Sequence, residues 1–211
     1  MNFFTHFYFE QPEQNPEFVA GLTIPDLFKE YSAAYRKIAL GNAAYSNEKG
    51  LVFAGIKAHI EADKFFHNSD FFKVCNEYIK IKLSKIDRFE RNFFLSHLFI
   101  ELMLDRVLIK QNPDLAVLYY RILNSFDFKI FEQLMKTINT TVNPSVLWER
   151  FIHFINSRYL LHYTNNEKWL YALSRVYYRT IRKPHQKSFD KLVDFIPSAE
   201  IYIEKRLNLL F

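Results

Sequence analysis

A chain of 211 residues, 49% hydrophobic and 24% charged, can bury a substantial core, and no shift in composition divides it, so one domain over residues 1–211 is expected. Only 4 glycines disfavour an architecture of many tight turns, the single cysteine, Cys75, excludes an internal disulfide framework, and no apolar run approaches the roughly 18 residues that cross a bilayer. The formal charge of +5 and pI near 9.1 favour an acidic counterpart, whether nucleic acid, anionic protein or phosphorylated substrate, without choosing among them. A reducing cytoplasm is the simplest location for such a chain.

In chain order, the opening MNFFTHFYFEQPEQNPE is apolar but has no basic leader and carries Glu10 and Glu13, so it reads as part of the fold and not as a signal peptide. His6 sits in its middle, and AGLTIPDLFK next places Asp26 among apolar residues. In AGIKAHIEADKFFHNS, residues 54–69, His59, Asp63 and His67 are four apart, and a helix returns to the same face every 3.6 residues. The stretch 80–91 holds Lys80, Lys82, Lys85, Arg88 and Arg91, only partly offset by Asp87 and Glu90, which reads as a solvated helix face or as a docking patch for an acidic partner. NFFLSHLFIELMLDRVLI predicts a buried helix carrying polar residues: Phe94, Leu98, Glu101 and Asp105 on one stripe, Phe93, His97, Ile100 and Leu104 on the next. RVYYRTIRKPHQK adds Arg175, Arg179, Arg182, Lys183 and Lys187. Turn residues at 12–16, 41–50, 68–70, 112–114, 139–144, 164–166 and 183–188 leave segments of helical length, about seven to nine helices in an all-α bundle.

Much chemistry is missing: there is no glycine-rich phosphate loop, no nucleophile elbow and no Cys-x-x-Cys pair, nor an RNA-binding signature or helix-turn-helix. What remains is His6, Asp26, His59 and Asp63 in apolar settings. A buried carboxylate without a partner costs several kcal/mol, so each Asp implies a cation, a set of donors or exposure. Mixed imidazole and carboxylate ligands suit Mn, Fe or Zn. Hydrogen-bonded core histidines and a surface His/Asp pair would use the same residues without a metal.

The segments resemble, in order, the acyl carrier protein phosphodiesterase family (holo-acyl-carrier-protein hydrolases), relatives of the HD-domain phosphohydrolases. MNFFTHFYFE is similar to its opening Met-Asn-Phe-Leu-Ala-His, VAGLTIPDLFK to its Gly-Asn-Leu-Leu-x-Asp-Phe, and GIKAHIEADKFFHNSD to its Gly-Ile-x-x-His-Arg-x-Ile-Asp-x-x-Thr-Asp. SHLFIELMLDRVL resembles its Leu-Asp-x-x-x-Asp-His-Phe-Leu helix, and LLHYTNNEKWLYALSRVYYR its late Tyr-containing helix pair. The resemblance implies an HD-domain-like helical bundle and a divalent metal, Mn²⁺, held by His6, Asp26, His59 and Asp63, which should then converge. On that resemblance Asp26 would orient or deprotonate the attacking water, and the reaction would release 4'-phosphopantetheine from the serine of an acidic acyl carrier protein; the charge pattern, not the resemblance, offers Lys80, Lys82, Lys85 and Arg88 as its docking patch.

The chain departs from the family pattern at Ile60, which replaces an Arg, at His67, which replaces the second Asp, and at His97 and Glu101, which stand where the Asp-x-x-x-Asp pair falls. Losing the Arg removes a bidentate phosphate donor. His67, His97 and Glu101 are expected to support the site or contact substrate; His67, about 12 Å along the helix from His59, is too far for the same ion. A second ion or a substrate phosphate is its functional reading, a hydrogen-bonded helix-end histidine the plain one. Two other classes stay open: a metal phosphohydrolase of another substrate, such as a nucleotide, and a silent binding module of the same fold.

Overall fold

A computed structural model describes residues 1–10, 15–40, 48–138, 140–182 and 189–210, and among these every regular element is helical. In chain order they are α1 (Phe3–Glu10), α2 (Pro16–Leu27), α3 (Ser32–Leu40), α4 (Glu48–Asn68), α5 (Asp70–Ile86), α6 (Asn92–Gln111), α7 (Pro113–Leu123), α8 (Phe128–Thr137), α9 (Pro144–Ser157), α10 (Asn166–Ile181) and α11 (Ile196–Glu204), with short 3-10 turns between some of them. None of the described helices is long and apolar enough to cross a membrane.

The boundaries follow from side chains that satisfy the free N–H groups of a first turn. Asn15 accepts from the Phe18 amide, Ser69 from Phe72, Asn143 from Ser145 and Asn165 from Lys168, and Pro16 and Pro144 occupy first-turn positions where no N–H is missed. Four expected breaks therefore fall on caps. The structure has more helices than expected because the chain also turns at Lys29–Tyr31, a 3-10 turn without Gly, Pro, Asn, Asp or Ser, and before Asp127, whose carboxylate caps α8. Residues 12–14, 41–47, 139 and 183–188 of the expected breaks lie outside the described residues, and Lys183 and Lys187 with them.

The chain forms two compact units, each built from two stretches. The first, Met1–Lys64 with Pro113–Tyr159, packs α1, α2 and α7 on one another and α8 on α9, around the buried rings of Phe4, Phe28, Tyr119, Phe131 and Phe151. A close crossing brings α2 against α4 at Gly21 and Gly55: a Cβ on Gly21 would sit 2.3 Å from the Val52 carbonyl oxygen, and one on Gly55 2.2 Å from that of Phe18. Only glycine lets two helix backbones approach this closely.

The second unit, Phe65–Asn112 with Leu160–Phe211, wraps α5, α10 and α11 around α6. Leu98, Ile100 and Leu104 of the expected stripes are buried, together with Leu95, Phe99, Met103 and Leu108, which the stripes did not include, but Phe93 is 63% exposed and is no part of the core stripe expected for it. The expected polar residues of this helix are there: Asp105 is buried, and so is Arg106, whose guanidinium donates to Glu200 at 2.9 Å, Asn166 at 2.7 Å and the Tyr163 carbonyl at 2.5 Å. A buried cation needs such a full set of acceptors.

Candidate metal centre

The close crossing of α2 and α4 sets up the site. It brings the Leu22 carbonyl, one residue after Gly21, within 2.8 Å of Nδ1 of His59, one turn after Gly55. A carbonyl only accepts, so Nδ1 carries the proton and Nε2 is the atom available to a ligand. That Nε2 lies 3.6 Å from Oδ2 of Asp63, one helical turn on. His6, fully buried on α1, stacks on the His59 ring with centroids 3.8 Å apart and 22° between planes, and its Nε2 lies 3.3 Å from Oδ1 of Asp63. Nδ1 of His6 is buried with no hydrogen-bond partner, and Nε2 has only the Asp63 oxygen beside it. Buried orphans of this kind call for an explanation, and a bound cation is one.

The electrostatics match. Burial, with the neighbouring His59, pushes the His6 imidazole down to about 4, so it is neutral near pH 7. Burial alone would raise the Asp63 carboxyl, but the Met1 α-amino group and His6 hold it well below the usual carboxylate range. The Met1 nitrogen is 2.5 Å from Oδ1 of Asp63 and supplies one positive charge beside it. Each oxygen of Asp63 thus faces a different imidazole, and the carboxylate is 33% exposed, which leaves one side open to solvent. His6, His59 and Asp63 offer three donor atoms within 4.8 Å of one another.

Asp26 stands outside that group. It lies on α2 one turn beyond Leu22, 8% exposed, with Oδ1 3.0 Å from the Lys29 ammonium and Oδ2 buried without a partner. The remaining expected residues gather elsewhere. His67, at the end of α4, meets His97 and Glu101 of α6: the two Nε2 atoms are 3.1 Å apart, and each lies 3.2–3.3 Å from Oε1 of Glu101. Lys82 and Lys85 of α5 and Arg88 just past its end are exposed, whereas Lys80 is half-buried and its ammonium is held by Glu77 at 2.7 Å.

Sequence reasoning missed the Leu22 carbonyl, the Met1 amino group and the two crossing glycines. The glycines did carry a signal, since each interrupts an otherwise helical apolar segment where Gly costs about 1 kcal/mol against Ala and so needs a packing reason. Comparison with protein-family models, curated proteins and solved structures finds no match to this chain.

Proposed function

We propose that the chain is a metal-dependent phosphoester hydrolase, in the manner of the acyl carrier protein phosphodiesterases it resembles, with His6, His59 and Asp63 as metal ligands. The observation that carries the reading is the His59 Nδ1 contact to the Leu22 carbonyl, which leaves Nε2 facing Asp63, as a carbonyl behind a histidine ligand fixes its ring and frees its other nitrogen for a metal. A divalent ion here, Mn²⁺ by the resemblance, would supply Lewis acidity toward a phosphoryl oxygen and acidify a bound water. The chain's own part is to hold the His6 imidazole neutral, keep Asp63 ionised and accept the water's proton. Asp26 fits that last role: its Oδ2 is a buried acceptor with no donor, beside an Oδ1 already neutralised by Lys29. An HD-domain-like arrangement of the helices, a cytoplasmic location and an acidic carrier protein as substrate belong to the same reading.

The Met1 ammonium on Asp63 favours a second reading, in which that ion pair completes a silent binding module. Incubation with holo-acyl carrier protein, followed by intact mass, separates them. Hydrolysis should convert holo to apo protein with loss of 4'-phosphopantetheine, stop with chelator, and fall at least 100-fold in His59→Ala. Turnover of nucleotides but not carrier protein would move the substrate, and absence of metal and of turnover on either would leave the silent module.

A further inference from the structure

We propose that His67, His97 and Glu101 form a second metal site, selective for a divalent first-row transition ion. The inference stands on its own geometry and does not depend on the first site.

Three donor atoms, two imidazole Nε2 and one carboxylate oxygen, make a nearly equilateral triangle with sides of 3.1, 3.2 and 3.3 Å. Hydrogen bonding alone fits that triangle poorly. Each Nε2 has at most one proton, and at a corner of about 60° one N–H cannot point at both neighbours, so at least one side must join atoms with no proton aimed between them. A cation turns every side into part of one coordination shell. Ligands bound at about 2.1 Å and at angles from 90° to 109° are separated by about 3.0 to 3.4 Å, the range this triangle spans.

The surroundings agree. The rings do not hang free: the Phe72 ring meets His67 edge-on at 5.1 Å and His97 at 4.9 Å, and Phe66 flanks His67 at 5.3 Å. His97 and Glu101 are one turn apart on α6, so two of the three donors are fixed by a single helix.

Two imidazoles disfavour Mg²⁺ and Ca²⁺, which take oxygen ligands, and leave Mn²⁺, Fe²⁺, Co²⁺ or Zn²⁺. Two histidines and one carboxylate on one face leave the other coordination positions to solvent or an oxyanion, and the imidazoles are 32% and 28% exposed on that account.

Chelator-treated full-length protein, titrated with Co²⁺ followed by its visible absorption and with Zn²⁺ followed by metal content after gel filtration, tests the site. Wild type should bind one equivalent more than His97→Ala and one more than Glu101→Gln, an isosteric change that keeps the packing. His59→Ala should retain the equivalent that those two variants lose, whatever becomes of the first site. Equal stoichiometry in wild type, His97→Ala and Glu101→Gln, or no metal bound by wild type, would overturn the proposal. A single wild-type equivalent lost in His97→Ala but kept in His59→Ala would sustain it and sink the first site instead; the reverse pattern would do the opposite.

Discussion

His6 is the residue whose chemistry depends most on where the fold puts it. In metal-free protein its folded pKa is near 4 against an ordinary 6.5, so between those values the unfolded chain takes up a proton that the folded chain refuses. Stability therefore falls as pH drops through that window, by up to about 3 kcal/mol. Asp63 does not contribute there, because a depressed carboxyl adds a constant term above its unfolded value of 3.8 and loses it only at lower pH. Urea unfolding with chelator at pH 7 and pH 4.5 should show the drop in wild type and a much smaller one in His6→Leu; equal drops would mean that His6 is not the group refusing the proton. At this scale His59 and Asp63 were legible because their spacing alone puts both on one helix face. The partner of Nδ1 was not, because a backbone acceptor such as the Leu22 carbonyl has no signature in sequence. Asp26 shows the converse, a recognisable residue whose carboxylate stands apart from the group it was expected to join.

Among elements, the α2/α4 crossing ties fold to site. A Cβ on Gly55 would have to displace the Phe18 carbonyl and the Gly21 Cα, 2.9 Å away, so Gly55→Ala should force the helices apart. Overpacking of this kind costs about 1–3 kcal/mol, a Tm lower by roughly 3–10 °C. It should also weaken metal binding, since the Leu22 carbonyl retreats from His59; a stability loss with unchanged metal affinity would break the proposed link. Along α5 and just past its end, replacing Lys82, Lys85 and Arg88 with Glu should slow association with an acidic carrier protein about tenfold and flatten its salt dependence, with Lys80→Glu weaker because Glu77 already holds that ammonium. Stopped-flow mixing at two ionic strengths reads this, and an unchanged rate would remove the patch. Helix starts marked by Asn or Ser were legible, because a cap is local chemistry. The turn at Lys29–Tyr31 was not, since nothing in Phe28-Lys29-Glu30-Tyr31 opposes a helix and only packing decides it.

For the whole molecule, helical class could be read from composition and periodicity, whereas the two units could not. Their first boundary, between Lys64 and Phe65, falls inside α4 without any change in residue type, and each unit closes only with a later stretch. This interleaving has a consequence for biosynthesis. Chains leave the ribosome from the N-terminus at about 5–20 residues per second, so α6, buried along most of its length, emerges well before the α10 and α11 that cover it. A chain stopped after Tyr159 holds all of the first unit but leaves α5 and α6 without those partners. It should bind a hydrophobic dye strongly and sediment as aggregate, where the full chain does neither; a soluble, dye-silent fragment would show that α6 finds cover without residues 160–211. In the cell, every nascent copy would pass through that stage, and its yield would then depend on how well chaperones shelter one apolar helix until residues 160–211 have been made.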